Sequence, residues 1–170
     1  MESLLPDAII ALANNVVREN QALGRKIALA ESCTGGLVSA AITEIPGSSA
    51  VLEYGFVTYA NEAKMDLLNV GANLIETFGA VSLAVAGAMA QGALAKSGAD
   101  VAVAISGVAG PGGGTEEKPV GTVVFALAHK GDKAEDVVTE RKNFGTDKSR
   151  AEIRMAATLY ALELLLPSTP

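Results

Sequence analysis

The chain has 170 residues, a formal net charge of −6 at pH 7 and a pI near 4.8. Apolar residues make up 49% of it, which excludes an intrinsically disordered chain and fits one domain over residues 1–170 with a sizeable core. The acidic balance argues against general nucleic-acid binding because it repels a phosphate backbone, although a local positive pocket can still take a small anion.

Hydrophobic periodicity and turn residues predict four elements in the first third of the chain. These elements are a helix over residues 6–23, a strand over residues 26–31, a helix from Thr34 to about residue 45, and a strand over residues 51–60. The sequence PGSS at residues 46–49 ends the second helix, because proline and glycine interrupt helical backbone.

The remaining residues predict four helices and three strands. Asn61, Asn73 and Ser82 are each expected to cap the start of a helix, and the last of these three helices runs to about residue 97. Strands are expected over residues 100–107, 120–129 and 134–144, followed by a helix that Thr146 or Asp147 caps and that ends near residue 166.

Helices interleaved with buried strands predict a three-layer α/β/α sandwich. The two consecutive hairpin strands near the end indicate a mixed, mostly parallel sheet rather than a purely parallel one.

The sequence AESCTGG at residues 30–36 joins a predicted strand to a predicted helix. Ser32 then lies at the carboxyl end of the strand, where open α/β sheets bind their ligands. The N–H groups of Gly35 and Gly36 would be free at the helix start, able to stabilise an oxyanion or bind a phosphate. The alternative is that Ser32 or Thr34 only caps the helix.

Two further polar clusters end predicted strands. Lys64 lies in the first helical turn after the strand that ends near residue 60, where the helix dipole and burial would lower its pKa and make it a competent base. Ser106 and Gly107 end the central strand. If the strands are parallel, all three clusters share one edge of the sheet; the alternative for Lys64 is an ordinary solvated lysine.

A glycine-rich loop covers residues 107–121. It is neither a Walker loop, which needs Gly-Lys-Ser/Thr before a helix, nor a dinucleotide fingerprint, because Thr115 replaces the last glycine. Backbone N–H groups in such a loop can approach an anionic ligand closely, but a mobile connection is an equally good interpretation. The four clustered glycines are Gly110, Gly112, Gly113 and Gly114.

The cysteine and histidine counts limit the possible chemistry. With Cys33 and His129 as the single residues of their types, no zinc site of nitrogen and sulfur ligands is expected, and no internal disulfide is possible. Residues 1–10 lack the features of a secretory leader, and no apolar run reaches the ~18 residues of a transmembrane helix. These observations predict a cytoplasmic protein without membrane partners.

Several of these motifs together resemble one known family, the CinA C-terminal domain. The resemblance covers nearly the whole chain, and the long glycine-loop motif is its most specific part. The motifs are AESCTGG at 30–36, PGSS at 46–49, YANEAK at 59–64, GAVS at 79–82 and SGVAGPGGGTEEKPVGTV at 106–123.

The resemblance implies hydrolysis of the carboxamide of nicotinamide mononucleotide to nicotinate mononucleotide and ammonia, in pyridine-nucleotide recycling. It implies a serine amidohydrolase without metal or cofactor, with Ser32 as the nucleophile, Lys64 as the base, and Tyr59 and Ser106 at neighbouring active-site positions. The expected substrate contacts are Glu31, Thr34, Gly35, Gly36, Asn61, Gly107, Gly110, Gly112, Gly113 and Gly114.

One position departs from the family pattern, because threonine is more usual where this chain has Ser106; the hydroxyl is retained. Larger family members carry an additional N-terminal domain with pyrophosphatase activity, which this chain is expected to lack. We expect a homo-oligomer, a dimer or higher. The alternative functions are an inactive nucleotide-binding or regulatory module and a serine amidase that acts on another small amide.

Overall fold

The computed structural model describes residues 3–167. Residues 1–2, part of the N-terminal segment considered for a secretory leader, and residues 168–170, the end of the predicted domain, lie outside the described residues.

Helices and strands follow one another along residues 3–167 in the predicted order. The helices are α1 (Asp7–Ala22), α2 (Leu37–Thr43), α3 (Asn61–Leu68), α4 (Ala72–Phe78), α5 (Leu83–Ser97) and α6 (Arg150–Leu165). The strands are β1 (Ile27–Glu31), β2 (Leu52–Val57), β3 (Val101–Gly107), β4 (Thr122–His129) and β5 (Val138–Asn143).

The strands form one sheet in the order β2-β1-β3-β4-β5. β1 pairs in parallel with β2 and β3, whereas β4 pairs antiparallel with β3 and β5. Four strands therefore run in one direction and β4 alone is reversed. This arrangement confirms the mixed, mostly parallel sheet.

Alternation along the strands divides the core into two layers. Ile27 and Leu29 of β1 pack with apolar residues of α1, α2 and α6, while Ala28 and Ala30 pack with α3 and α5 on the opposite face. The small side chains on that second face let α5 lie close to the sheet. The helices thus cover both faces, which confirms the three-layer sandwich.

The predicted start of α2 was wrong. Residues 32–36 form a turn in which Gly35 and Gly36 have φ of 59° and 98°, and the helix begins only at Leu37. This left-handed backbone, which glycine adopts readily, cannot continue a helix. Ala60, without a side-chain hydrogen bond, is the N-cap of α3, so Asn61 is the first helical residue rather than the cap.

Other predicted boundaries shift by a few residues. Ser82 caps α5 as predicted, because its Oγ accepts a hydrogen bond from the Val85 N–H at 3.3 Å. Gly71, not Asn73, is the N-cap of α4. The strand predicted from residue 134 begins at Val138, the first residue paired with β4; residues 134–136 instead form a 3-10 turn.

The cap of α6 is Ser149, not Thr146 or Asp147. Ser149 and Glu152 form a capping box in which each side chain accepts a hydrogen bond from the other residue's backbone N–H. No helix within residues 3–167 combines the length and the hydrophobicity required to cross a membrane.

Gly92 determines how closely α3 and α5 approach each other. A Cβ added at this position would overlap the carbonyl group of Leu68, at the end of α3. Because Gly92 has no side chain, the end of α3, the helix that carries Lys64, packs directly against α5 at this position.

We expect Gly92→Ala to lower the thermal unfolding midpoint, because overpacking costs about 1–3 kcal/mol and outweighs the helix propensity gained. The matched control is Gly87→Ala on the same helix, where the new Cβ would lie at an ordinary 3.6 Å from Thr139 Cγ2. Circular dichroism during heating measures both variants. If Gly92→Ala proves as stable as Gly87→Ala, close packing at Gly92 does not limit stability.

Candidate active site

The three parallel strands β1, β2 and β3 bring their carboxyl ends to one edge of the sheet. A cavity of about 190 Å³ opens there. It brings together six of the sequence-predicted site residues, namely Ser32, Tyr59, Asn61, Lys64, Ser106 and Gly107. Its lining also includes Cys33, Ala80, Val81, Ala109 and Arg150.

Ser32 extends the pairing of β1 with β3 by one residue. Its backbone N–H donates to the Ile105 carbonyl at 2.9 Å, and the residue is buried. The next residue, Cys33, packs into the core formed with α1, α2 and α6. Burial raises the pKa of the Cys33 thiol to about 12, so the thiolate is scarce at neutral pH.

The Lys64 amine lies in the cavity at hydrogen-bond distance from three oxygen atoms. Nζ is 3.0 Å from Ser32 Oγ, 2.7 Å from the Thr58 carbonyl oxygen and 3.1 Å from the Tyr59 carbonyl oxygen. A neutral amine has two N–H groups, which the two carbonyls can accept, and one lone pair. That lone pair is then left for the Ser32 hydroxyl proton.

The electrostatic surroundings of Lys64 favour its neutral form. The residue is buried, and no Asp or Glu of the described chain forms an ion pair with it. Desolvation on burial lowers the pKa of Lys64 below its ordinary value. The direction agrees with the sequence prediction, and burial is its main cause.

The buried Glu31 carboxylate points to the start of α2 and has a structural role there. It accepts hydrogen bonds from the N–H groups of Gly36 at 3.0 Å, Val38 at 3.2 Å and Ser39 at 2.9 Å, and from Ser39 Oγ at 2.8 Å. These bonds satisfy donors that a helix start leaves open. The Gly36 N–H predicted to face a ligand is therefore already occupied.

The turn after Ser32 leaves two other N–H groups open. The Gly35 N–H donates to the Ser32 carbonyl at 3.0 Å. Arg154 donates to the carbonyls of Cys33 and Thr34 at 3.0 and 3.1 Å. Neither the Cys33 nor the Thr34 N–H has an acceptor within residues 3–167. Only Cys33 lines the cavity, whereas Thr34 is fully buried outside it, so the Cys33 N–H is the donor at the cavity.

Arg150 connects the cavity to the glycine loop. Its guanidinium donates to Tyr59 Oη at 3.0 Å and to the Gly110 carbonyl at 2.7 Å. It forms no ion pair with a carboxylate in the described part of the chain. Sequence reasoning missed this residue, although a cation in the first turn of a helix is the signal that identified Lys64.

The rest of the glycine loop lies outside the Ser32 cavity. Gly112, Gly113 and Gly114 line a separate surface depression of about 410 Å³, together with Lys148. The structure therefore does not bring these three glycines to the Ser32–Lys64 pair. Gly110 does not line the cavity either, but its carbonyl accepts a hydrogen bond from Arg150, which does.

Ser106 is buried at the end of β3, and its Oγ donates a hydrogen bond to the Ala80 carbonyl at 2.9 Å. Asn61 is an exposed member of the lining. No group of three or more His, Cys, Asp or Glu residues among residues 3–167 is arranged to hold a metal ion.

Comparison with known proteins adds the family. The family model of the CinA C-terminal domain matches residues 9–169. This chain belongs to the CinA C-terminal domain family. A competence/damage inducible protein from Agrobacterium tumefaciens superposes with a TM-score of 0.91 and 48% identity, covering 96% of this chain and 97% of that chain.

Its relatives in the CinA family differ in length. The nicotinamide-nucleotide amidohydrolase PncC of Enterobacter agglomerans is 49% identical over 146 residues, which is 86% of each chain. A CinA-like protein of Akkermansia muciniphila is 56% identical over 124 residues, 73% of this chain and 29% of that protein. This chain aligns with 25–32% of the length of three longer curated relatives.

We expect the Lys64 amine to titrate below the ordinary lysine value of 10.5, because burial disfavours its cation. The measurement is an NMR titration of the lysine Cε and Nζ signals, with the Lys64 signal assigned by its loss in Lys64→Arg. The other lysine signals of the same sample are the internal reference. A Lys64 signal that titrates at or above 10.5 contradicts the burial argument.

Proposed function

We propose that this chain hydrolyses the carboxamide of nicotinamide mononucleotide, with Ser32 as the nucleophile and Lys64 as the general base. The observation that carries the proposal is the 3.0 Å contact between the buried Lys64 amine and Ser32 Oγ. The nicotinamide-nucleotide amidohydrolase PncC of Enterobacter agglomerans, whose alignment covers 86% of each chain, supports the choice of substrate.

In the first step, the lone pair of Lys64 takes the Ser32 proton while Oγ forms a bond to the carboxamide carbon. The negative charge moves to the carboxamide oxygen, where the N–H group of Cys33 stabilises it. The Lys64 ammonium then gives a proton to the amide nitrogen. The carbon–nitrogen bond breaks, ammonia leaves, and Ser32 carries the acyl group as an ester.

In the second step, Lys64 takes a proton from water, and the resulting hydroxide attacks the ester carbon. The ester bond to Ser32 Oγ breaks as that oxygen regains a proton from Lys64. The products are nicotinate mononucleotide and free enzyme. The serine and the amine supply both the nucleophile and the proton transfers, so we propose a reaction that requires no metal or cofactor.

We also propose a cytoplasmic location and a homo-oligomer. Cys33 is a buried free thiol, as expected in a reducing compartment.

The proposed homo-oligomer rests on the edge of the sheet. β2 is an edge strand in which Tyr54 and Val57 are about half exposed, at 48% each. Exposed apolar edges favour pairing with another chain, and a second copy would cover this one.

Arg150 supports a nucleotide rather than free nicotinamide as the substrate. Its guanidinium lies at the cavity without a carboxylate partner within residues 3–167, and such a group binds phosphate with charge-assisted hydrogen bonds. Since the predicted Gly36 donor is occupied and Gly112–Gly114 lie elsewhere, we assign the phosphate contact to Arg150.

We expect Ser32→Ala to reduce ammonia release from nicotinamide mononucleotide by several orders of magnitude with unchanged circular dichroism, because the acyl group then has no oxygen to bind. Cys33→Ala is the neighbouring control and should retain activity, since its thiol is buried and protonated. Near-normal kcat in Ser32→Ala excludes Ser32 as the nucleophile. Loss of activity in folded Cys33→Ala transfers that role to sulfur.

Lys64 is tested in the same assay. Lys64→Arg should be nearly as inactive as Lys64→Ala, because a guanidinium does not deprotonate in this range. Wild-type kcat should rise with pH through the lowered pKa of Lys64, since the neutral amine is the active form. Substantial kcat in Lys64→Arg shows instead that the residue acts as a fixed positive charge.

We expect Arg150→Gln to lower kcat/KM for nicotinamide mononucleotide by about 10- to 100-fold, because a hydrogen bond to a charged group contributes about 1.5–3 kcal/mol. Nicotinamide riboside, which lacks the phosphate, should lose little. Arg18→Gln is the control, since Arg18 is an exposed arginine paired with its neighbour Glu19. Equal losses on both substrates contradict a phosphate contact and indicate damage to the cavity.

A further inference from the structure

The Ser106 hydroxyl has a fixed hydrogen-bond direction. Ser106 lines the cavity with Ser32 and Lys64 and is only 2% exposed. Its Oγ lies 2.9 Å from the Ala80 carbonyl oxygen, which can only accept, so the single hydroxyl proton points to Ala80. The two lone pairs of Oγ remain, and Ser106 is therefore an acceptor toward anything else it contacts.

The position of Ser106 relative to the nucleophile follows from the pairing of β1 with β3. Glu31 and Ile105 are register partners, and the Ser32 N–H donates to the Ile105 carbonyl. Ser32 and Ser106 are thus the next residues of two adjacent parallel strands, at the same cavity. A carboxamide whose carbon is within reach of Ser32 Oγ has its two polar ends, the oxygen and the NH₂ group, close to these strand ends.

The two ends of the carboxamide require opposite partners. The oxygen needs a donor, which the Cys33 N–H at the cavity can supply. The NH₂ group needs an acceptor, whereas the cationic Arg150 side chain at the same cavity only donates. Ser106 Oγ is a buried acceptor at the cavity with its own proton already engaged.

We infer that Ser106 is a specificity-determining residue that accepts a hydrogen bond from the NH₂ group of the substrate's carboxamide and so selects amide over carboxylate. The inference rests on the proposed function and assigns Ser106 as the protein partner of the substrate's NH₂ group. In the product, a carboxylate oxygen replaces the NH₂ group, and its lone pairs face those of Ser106. The acid therefore binds less tightly than the amide and leaves the site.

The test compares an amide and an ester that give the same acyl group on Ser32. The substrates are nicotinamide mononucleotide and the methyl ester of nicotinate mononucleotide, which has no N–H group at the reacting carbon. We expect Ser106→Ala to lower kcat/KM for the amide by about 3- to 10-fold, as for the loss of one neutral hydrogen bond, with little change for the ester. Ser106→Thr, which keeps the hydroxyl, should retain amide turnover.

A binding measurement checks the same inference without turnover. In a Ser32→Ala background, calorimetry should give tighter binding of nicotinamide mononucleotide than of nicotinate mononucleotide. Adding Ser106→Ala should remove most of that preference, because both the acceptor for the amide and the repulsion of the acid are lost.

The outcomes separate this inference from the proposed function. Equal losses on amide and ester in Ser106→Ala, with an unchanged binding preference, mean that Ser106 only positions the Ala80 segment, and they overturn the inference alone. Wild-type protein that hydrolyses neither substrate overturns both the inference and the proposed function. Loss confined to the amide, with rescue in Ser106→Thr, supports both.

Discussion

The burial of the Lys64 amine without an anionic partner is the constraint on which the site depends. Removing an ammonium group from water is expensive, and a carboxylate neighbour would offset that cost by stabilising the charged form. Here the amine contacts the backbone carbonyls of Thr58 and Tyr59 instead. Neutral carbonyls hold the nitrogen in position but favour the cation less than a carboxylate would, so an uncharged amine can lie against Ser32 Oγ.

The acidic residue next to the nucleophile is engaged by the start of α2 and not by that amine. Glu31 directly precedes Ser32, yet its carboxylate accepts four hydrogen bonds from the beginning of α2. The helix N-terminus stabilises this buried negative charge through its open N–H groups and its dipole. The Glu31 carboxylate is thus used at the start of α2 and forms no ion pair with Lys64.

The layers of the sandwich bring the strand ends and the base together. Alanine residues on one face of β1 and β3 admit α5 close to the sheet, and Gly92 of α5 admits the end of α3. α3 carries Lys64, so the position of its amine beside Ser32 depends on packing at Gly92 and Leu68, which do not line the cavity. Larger side chains in this alanine- and glycine-rich part of the core would therefore shift the position of Lys64 relative to Ser32.

Local periodicity in the sequence predicted the order of the elements, the three-layer sandwich with its mixed sheet, and the placement of Ser32 and Lys64 at one sheet edge. Such features depend on residues close together in the chain. The start of α2, the engaged N–H of Gly36 and the separation of Gly112–Gly114 from the cavity were decided by tertiary structure, as was the approach of Arg150 to Tyr59. The physical reason is that each donor takes an acceptor that folding brings within reach. For the Gly36 N–H this is the side chain of Glu31, five residues before it, and for Arg150 the acceptors lie 40 and 91 residues away along the chain.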